Sequence, residues 1–369
     1  MRRGNGRTVS NRVTAVRKIA VLPAHALGDY LFAVPALDAL KAAYPRAELT
    51  LIGAAWHVGT LGARPGPVDR VVLAPPVMAV SDPATREPTP LEPFLAWAHA
   101  EAFDLALQLH DGGRHSNGLV TALGARVTAG VRATDAPPLD RWLPYRYYQP
   151  EVFRLLEVVG LVGAEPVGCR PRFDVTASDL DELDATLGPA ARPRVVLHPG
   201  ATDRRRRWPT ERFAAVGDRL ADEGVELLVT GVGAERAVVQ RVCAQLRRPA
   251  RALVDELSVG GLAALLASSV LLISNDTGPL HLAEAVGTAA IGLFWIGNMI
   301  NAAGVYRTRY RPLISWIFRC PDCGTDCTRD PYPARTGGTA CRHAPSFLAG
   351  IGVAEVTDAA LDLLARATA

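Results

Sequence analysis

The sequence predicts an α/β protein made of two consecutive Rossmann-like halves, each a parallel sheet flanked by helices. Three observations predict it. Apolar runs of strand length alternate with runs of 3.6-residue period through both halves of the chain. A polar, acidic stretch, Val175–Arg192, ends in a Pro-containing turn and separates the two series. The chain has 369 residues, 49% of them hydrophobic, which is enough for two cores.

The first series opens with a strand at Lys18–Pro23, then a loop, Ala24–Asp29, and a helix with Leu31, Val34, Leu37 and Leu40 on one face. Strands follow at Ala47–Ile52, Arg70–Leu73 and Asp104–Leu109, the last ending in the polar cluster His110–Asn117. The Pro-rich stretch Pro75–Pro93 reads as a long surface loop. The second series has strands at Arg194–His198, Val225–Thr230, Val270–Ser274 and Ala289–Phe294, with helices at Pro209–Glu223 and around Leu262–Leu266. The final segment, Val353–Ala367, is amphipathic, with Val356, Ala360, Leu361 and Leu364 aligned.

The expected division is a disordered basic tail over residues 1–16, a first domain over 17–175, a linker over 176–192, a second domain over 193–350 and a terminal helix over 351–369. Two doubly wound halves suggest a cleft between domains. Ligands of such sheets bind beyond the carboxyl ends of the strands.

Net charge is +3, and Arg2, Arg3, Arg7 and Arg12 of the opening segment exceed that excess by themselves. The folded body is thus near neutral, which argues against a nucleic-acid-binding face. The most apolar run, Leu262–Ser274, is too short to cross a bilayer, and no secretory signal is apparent. The expected location is the cytoplasm, with peripheral attachment to the inner face of the membrane as the variant the basic tail allows.

The segment Ser274–Thr288 carries the strongest chemical signal. It follows a buried strand and opens a helix, so unpaired backbone N–H groups and the positive end of the helix dipole face one spot. Asp276 and Thr277 suit the cap, Gly278 permits close approach of a ligand, Pro279 suits the first turn, and His281 points to the same place. By local chemistry alone this is either a diphosphate cradle or simply a well-capped helix start.

Asp-Thr-Gly-Pro-x-His-Leu-Ala-x-Ala-x-Gly-Thr, from Asp276 to Thr288, resembles the signature of glycosyltransferase family 9, the ADP-heptose transferases. Three further segments agree in order. Leu27-Gly28-Asp29 with Pro35-Ala36-Leu37 to Lys41 resembles the family's opening motif. His198-Pro199-Gly200-Ala201 through Arg206-Arg207-Trp208-Pro209 resembles its second, and Gly231–Glu235 its nucleotide-contacting loop. The resemblance spans residues 18–365. It implies a GT-B fold, a nucleotide diphosphate sugar donor (an ADP-sugar first) in the second domain, a hydroxyl acceptor in the first, lipid-linked in one form, and inversion at the anomeric carbon.

Carried over residue by residue, the resemblance makes Asp29 the catalytic base. It places Arg206 on the donor phosphates, where the family usually has Lys, and Glu235 on the ribose. Thr202, Gly231, Asp276, Thr277, Gly278 and His281 complete the donor site. His198 replaces the usual Asn, and the stretch Trp295–Ile317 has no close family echo. Asp111 is the rival base, although Asp111-Gly112 also reads as a turn. Asp179-Leu180-Asp181 could hold a divalent ion in other transferases but reads here as a solvated helix, so the chemistry is expected to need no cofactor. Two other readings share the architecture: a sugar-nucleotide 2-epimerase, against which the first two motifs argue, and a sensor that binds nucleotide sugar without turnover, against which Asp29 argues.

Four of six cysteines cluster as Cys320-x2-Cys323-x3-Cys327 and Cys341, while Cys169 and Cys243 stand apart. In a cytosolic chain such a cluster points to a metal rather than to disulfides. The expectation is a structural zinc or iron held by Cys320, Cys323, Cys327 and Cys341.

Overall fold

The computed structural model describes residues 11–76, 90–328, 341 and 343–368. Most of the Pro-rich stretch expected to be a loop, residues 77–89, lies outside them. The chain divides between Cys169 and Arg170 into two compact units.

The first unit runs β1 (Lys18–Pro23), α1 (Leu27–Ala43), β2 (Glu48–Gly53), α2 (Ala55–Leu61), β3 (Arg70–Leu73), α3 (Leu91–Glu101), β4 (Leu105–Leu109), α4 (Asn117–Ala122), β5 (Val127–Arg132), β6 (Arg141–Pro144) and α5 (Glu151–Gly160). Its six strands are parallel, in the order β3-β2-β1-β4-β5-β6. All of β4 and nearly all of β1 is buried. That is why these strands read as continuous apolar runs instead of alternating ones.

The second unit runs α6 (Ala177–Leu187), β7 (Arg194–His198), α7 (Thr210–Ala221), β8 (Glu226–Gly231), α8 (Arg236–Gln245), β9 (Ala250–Val254), α9 (Val259–Ala267), β10 (Leu271–Asn275), α10 (Gly278–Val286), β11 (Ala290–Trp295), α11 (Ile296–Ala302), β12 (Tyr310–Ser315) and α12 (Val353–Thr368). Its sheet is also six-stranded and parallel, ordered β12-β11-β10-β7-β8-β9. In both sheets the first strand pairs with the fourth, so chain direction across the sheet reverses between β1 and β4 and between β7 and β10. Loops leaving such a pair diverge and open a crevice. The loop after β1 leads into the first turn of α1, which holds Asp29, and the loop after β4 carries Asp111; those after β7 and β10 carry Arg206 and Asp276.

Two boundaries differ from the sequence reading. The disorder expected of the opening segment does not extend to residues 11–16. Val13 is buried and its N–H donates to the Tyr44 hydroxyl (3.2 Å), while Arg126 and Arg141 bind the carbonyls of Thr14 and Asn11. The expected linker is α6, a helix of the second unit packed on α9. Thr176 and Asp179 close its N-terminal capping box, so Asp179 is spent as a cap. Helix α12 lies against α7, β10 and β11. Val356, Ala360 and Leu363 are buried there, and Leu361 and Leu364 are partly buried.

Candidate functional site

At the carboxyl ends of β7 and β10, Asn275 ties two loops together. Its side-chain amide donates to the carbonyls of Pro199 (2.9 Å) and Gly200 (3.1 Å), and its oxygen accepts from Trp208 N–H (3.1 Å). The neighbouring Asp276 is buried and gathers three donors. Arg206 Nη1 lies 3.0 Å from Oδ2, His281 Nε2 lies 3.1 Å from Oδ1, and the Asn298 amide donates to Oδ2. Burial alone would raise the Asp276 pKa. The hydrogen bond from His281, the Arg206 charge and Asn298 outweigh it and hold the carboxyl below its ordinary value.

Helix α10 starts at once beyond this cluster. Thr277 is its N-cap residue but makes no side-chain capping bond; its hydroxyl lies 3.2 Å from Ser274 Oγ and 3.3 Å from the Asn275 carbonyl. The first-turn amides therefore keep no side-chain acceptor of their own. A cation and a helix N-terminus share one spot, which is the chemistry a diphosphate needs.

The four arginines before Trp208 divide their work. Arg204–Arg206 form a single 3-10 turn capped by Asp203, whose carboxylate accepts from Arg205 N–H (3.0 Å) and Nη2 (2.7 Å). Arg207 donates to the Ala201 carbonyl (2.8 Å), and Arg204 is exposed. Arg206 is the one that reaches Asp276. Thr202 is exposed on the same loop.

Glu235 lies at the end of β8, beside β7. It is buried, accepts from Val232 N–H (3.1 Å) and stands 3.7 Å from His198 Nε2, whose other ring nitrogen is 3.1 Å from the Thr230 hydroxyl. Burial pushes the His198 pKa down, against the opposing pull of Glu235. The carboxylate rests directly over Gly200: a Cβ there would come within 2.1 Å of it, so any side chain at this position would make Glu235 move. Gly231 is hemmed in likewise, with Val239 2.6 Å from any added Cβ.

In the first unit Asp29 lies in the first turn of α1 rather than on the loop before it. Asp111, at the end of β4, holds a left-handed φ of 40°, a strained geometry for a residue with a side chain. Both carboxylates act on Glu151 in the first turn of α5. The Glu151 pKa is pushed up to about 7, chiefly by burial, with Asp29 and Asp111 adding to the rise and Arg154 opposing it. Arg154 pairs with Glu151 and is itself buried; its guanidinium also donates to the carbonyls of Arg146 (2.6 Å) and Tyr147 (3.0 Å).

The cysteine cluster differs from expectation by one ligand. The ligand atoms of Cys320, Cys323, Cys341 and His343 all lie within 4.8 Å of one another. Cys327 is not in that group: it is buried in the core of the second unit, with its thiol still in reach of the Cys320 and Cys341 thiols. Three thiols and an imidazole so arranged fit a tetrahedral zinc or iron.

Sequence reasoning therefore missed Asn298, Glu151 and His343. His343 had a signal, two residues beyond Cys341. Asn298 lies in the stretch without a family echo, and Glu151 becomes unusual only once α5 packs on α1.

Residues 98–323 match the sequence profile described as glycosyltransferase family 9 (heptosyltransferase). The lipopolysaccharide core heptosyltransferase OpsX of Haemophilus influenzae is 21% identical over 301 residues, 78% of this chain and 82% of that protein. The structure of the E. coli ADP-heptose lipopolysaccharide heptosyltransferase II superposes with a TM-score of 0.72 at 16% identity, covering 96% of this chain and all of the other. The iron-containing dodecameric glycosyltransferase TibC of enterotoxigenic E. coli gives a TM-score of 0.54 at 13% identity, covering 97% of this chain and 78% of TibC. The two parallel six-stranded sheets are thus those of a GT-B glycosyltransferase. With more than half of its residues inside the family match, the chain belongs to glycosyltransferase family 9, the heptosyltransferases.

Proposed function

We propose that the protein transfers heptose, or a closely related sugar, from an ADP-linked donor to a hydroxyl of a glycan or glycolipid, with inversion at the anomeric carbon. The observation that carries this reading is the Arg206–Asp276–His281 cluster at the start of α10, where the strand order of the second sheet reverses. Arg206 and the first-turn amides take the diphosphate, Thr277 and Gly278 line it, and Glu235 takes the ribose hydroxyls beside Gly200 and Gly231. As the glycosidic bond to the diphosphate breaks, the growing negative charge meets donors already in place, which lowers the barrier without reorganisation.

In the first unit Asp29 accepts the acceptor hydroxyl's proton as its oxygen attacks the anomeric carbon from the face opposite the leaving group. The names of the relatives point to a lipopolysaccharide-type acceptor and an ADP-heptose donor. Cytoplasmic placement at the inner membrane face suits such an acceptor, and among the described residues no helix is long and apolar enough to cross a membrane. Cys320, Cys323, Cys341 and His343 would hold a structural zinc or iron, which when bound cross-links the segments that carry them and takes no part in transfer.

Thermal shift with ADP-, GDP- and UDP-sugars tests the donor. ADP-heptose should raise Tm most, and the rise should shrink in Arg206→Ala and Thr277→Val. A protein indifferent to every nucleotide would sink the reading.

A further inference from the structure

The four ligands of the cysteine–histidine group sit on two arms; the second is fastened to the loop that carries Arg206, and the first packs against the second through Trp295. The first arm leaves β12 and reaches Cys320. Its Ile317 carbonyl accepts from Trp295 Nε1 (2.6 Å), and Trp295 stacks on Phe347 at 4.9 Å between ring centroids. The second arm runs from Cys341 and His343 through Ala344 and Pro345 to Ser346 and Phe347. Phe347 N–H donates to the Arg205 carbonyl (2.8 Å), and Ser346 Oγ donates to the Arg207 carbonyl (2.5 Å). The two bonds thus bracket Arg206. Further on, Trp208 Nε1 donates to the Ile351 carbonyl (3.1 Å), and Arg212 Nη1 donates to the carbonyls of Ala349 (2.8 Å) and Ile351 (2.7 Å).

The 3-10 turn has two faces. Arg205 turns toward the clip: its guanidinium lies 5.9 Å from the Phe347 ring centroid and feels the Cys327 and Cys341 thiols. Arg206 turns the other way, to Asp276. We propose that metal binding at Cys320, Cys323, Cys341 and His343 positions the Arg204–Trp208 loop through Ser346 and Phe347, so that metal occupancy tunes affinity for the donor diphosphate. This rests on the reading of Arg206 above.

The physical argument is one of leverage. Only two residues separate His343 from Ser346, and one of them is Pro345, whose ring fixes φ. A metal that draws Cys341 and His343 toward Cys320 and Cys323 therefore sets the position of Ser346 and Phe347. Without the metal the same backbone bonds can form, but several placements of the arm compete, and Arg206 is held less well. Losing placement of a charge-assisted contact by a fraction of an ångström costs roughly tenfold in binding.

The test measures two quantities on the full chain: zinc content by elemental analysis and ADP affinity by calorimetry. Protein stripped with chelator should bind ADP roughly tenfold more weakly than protein reloaded with one equivalent of zinc. By linkage, saturating ADP should tighten zinc by the same factor. Ser346→Ala should keep its zinc yet bind ADP more weakly, and Arg206→Lys should retain the response to zinc. Equal ADP affinity with and without zinc, or a protein that takes up no zinc and binds ADP normally, would overturn the coupling. Failure of the donor reading looks different: reloaded Arg206→Ala would then bind ADP as tightly as the unaltered chain.

Discussion

The crevices of the two sheets handle charge in opposite ways. In the second unit Asp276 is surrounded by a guanidinium, an imidazole and an amide, and its pKa falls although it is buried. In the first, Glu151 is buried and feels two other carboxylates against one guanidinium, and its pKa rises to about 7. A carboxylate compensated in this way keeps its charge near neutral pH, and a site with a guanidinium so held suits a ligand of permanent charge, such as a diphosphate. A crowded acidic cluster binds a proton close to neutral pH and suits a step that moves one. The proposed division of labour follows: leaving-group charge on one unit, proton acceptance on the other.

Asp29→Asn is the sharpest way to break that contrast. In the first turn of α1 the Asn variant gives up only the attraction of a charge to the helix dipole, about 0.3–1 kcal/mol, so it should fold and bind ADP as before. It cannot accept a proton, and transfer should fall by about 10²–10⁴-fold. Near-native turnover would reduce Asp29 to a helix-start residue and move the search to Asp111, whose left-handed backbone already marks it.

The next largest effect belongs to the second unit. Arg206→Ala removes the cation that Asp276 holds in place. ADP affinity, read by calorimetry, should drop on the order of tenfold or more. Turnover at saturating donor should change much less than in Asp29→Asn. A variant that lost turnover but kept ADP affinity would reverse the assignment of roles.

A smaller effect is expected at Gly200. A methyl group there would stand 2.1 Å from the Glu235 carboxylate, which must then swing away from His198 and from any ribose. Gly200→Ala should weaken ADP binding by roughly fivefold while affecting ADP-ribose and inorganic diphosphate unequally, since only the former offers ribose hydroxyls. If both ligands weaken alike, Glu235 does not read the ribose.

Much of this was legible in the sequence. Strands β1, β3 and β7 fall at the residues predicted, and the other predicted strands shift by one residue, because buried parallel strands are written as unbroken apolar runs. The start of α10 was legible because caps, Pro279 and Gly278 are local requirements. What was not legible depends on packing between distant segments. Nothing local announces that Arg205 and Arg207 are engaged while Arg206 points at Asp276, or that Cys327 is left out of the tight group of Cys320, Cys323, Cys341 and His343. Residues 176–192 were misread for a related reason: an acidic composition resembles a linker until Glu182 is seen accepting from Ser258 N–H (2.6 Å) at the start of α9.

The smallest predicted effect probes the acidic crevice directly, through stability. The Glu151 pKa is raised from 4.5 toward about 7 in the folded protein, so between those values the folded state holds a proton that the unfolded state has released. Its contribution is fully present below the unfolded value and is lost as pH climbs through 7. A tenfold change in proton affinity is worth about 1.4 kcal/mol. Glu151→Gln carries no titrating proton and keeps an acceptor for Arg154. The variant should therefore match the parent chain near pH 5 and become the more stable of the two by pH 8, in denaturant titrations run at both values. The attraction between Arg154 and an ionised Glu151 is already contained in the raised pKa. A stability difference that is constant from pH 5 to pH 8 would mean that Glu151 is ionised throughout, and that the first crevice is as well compensated as the second.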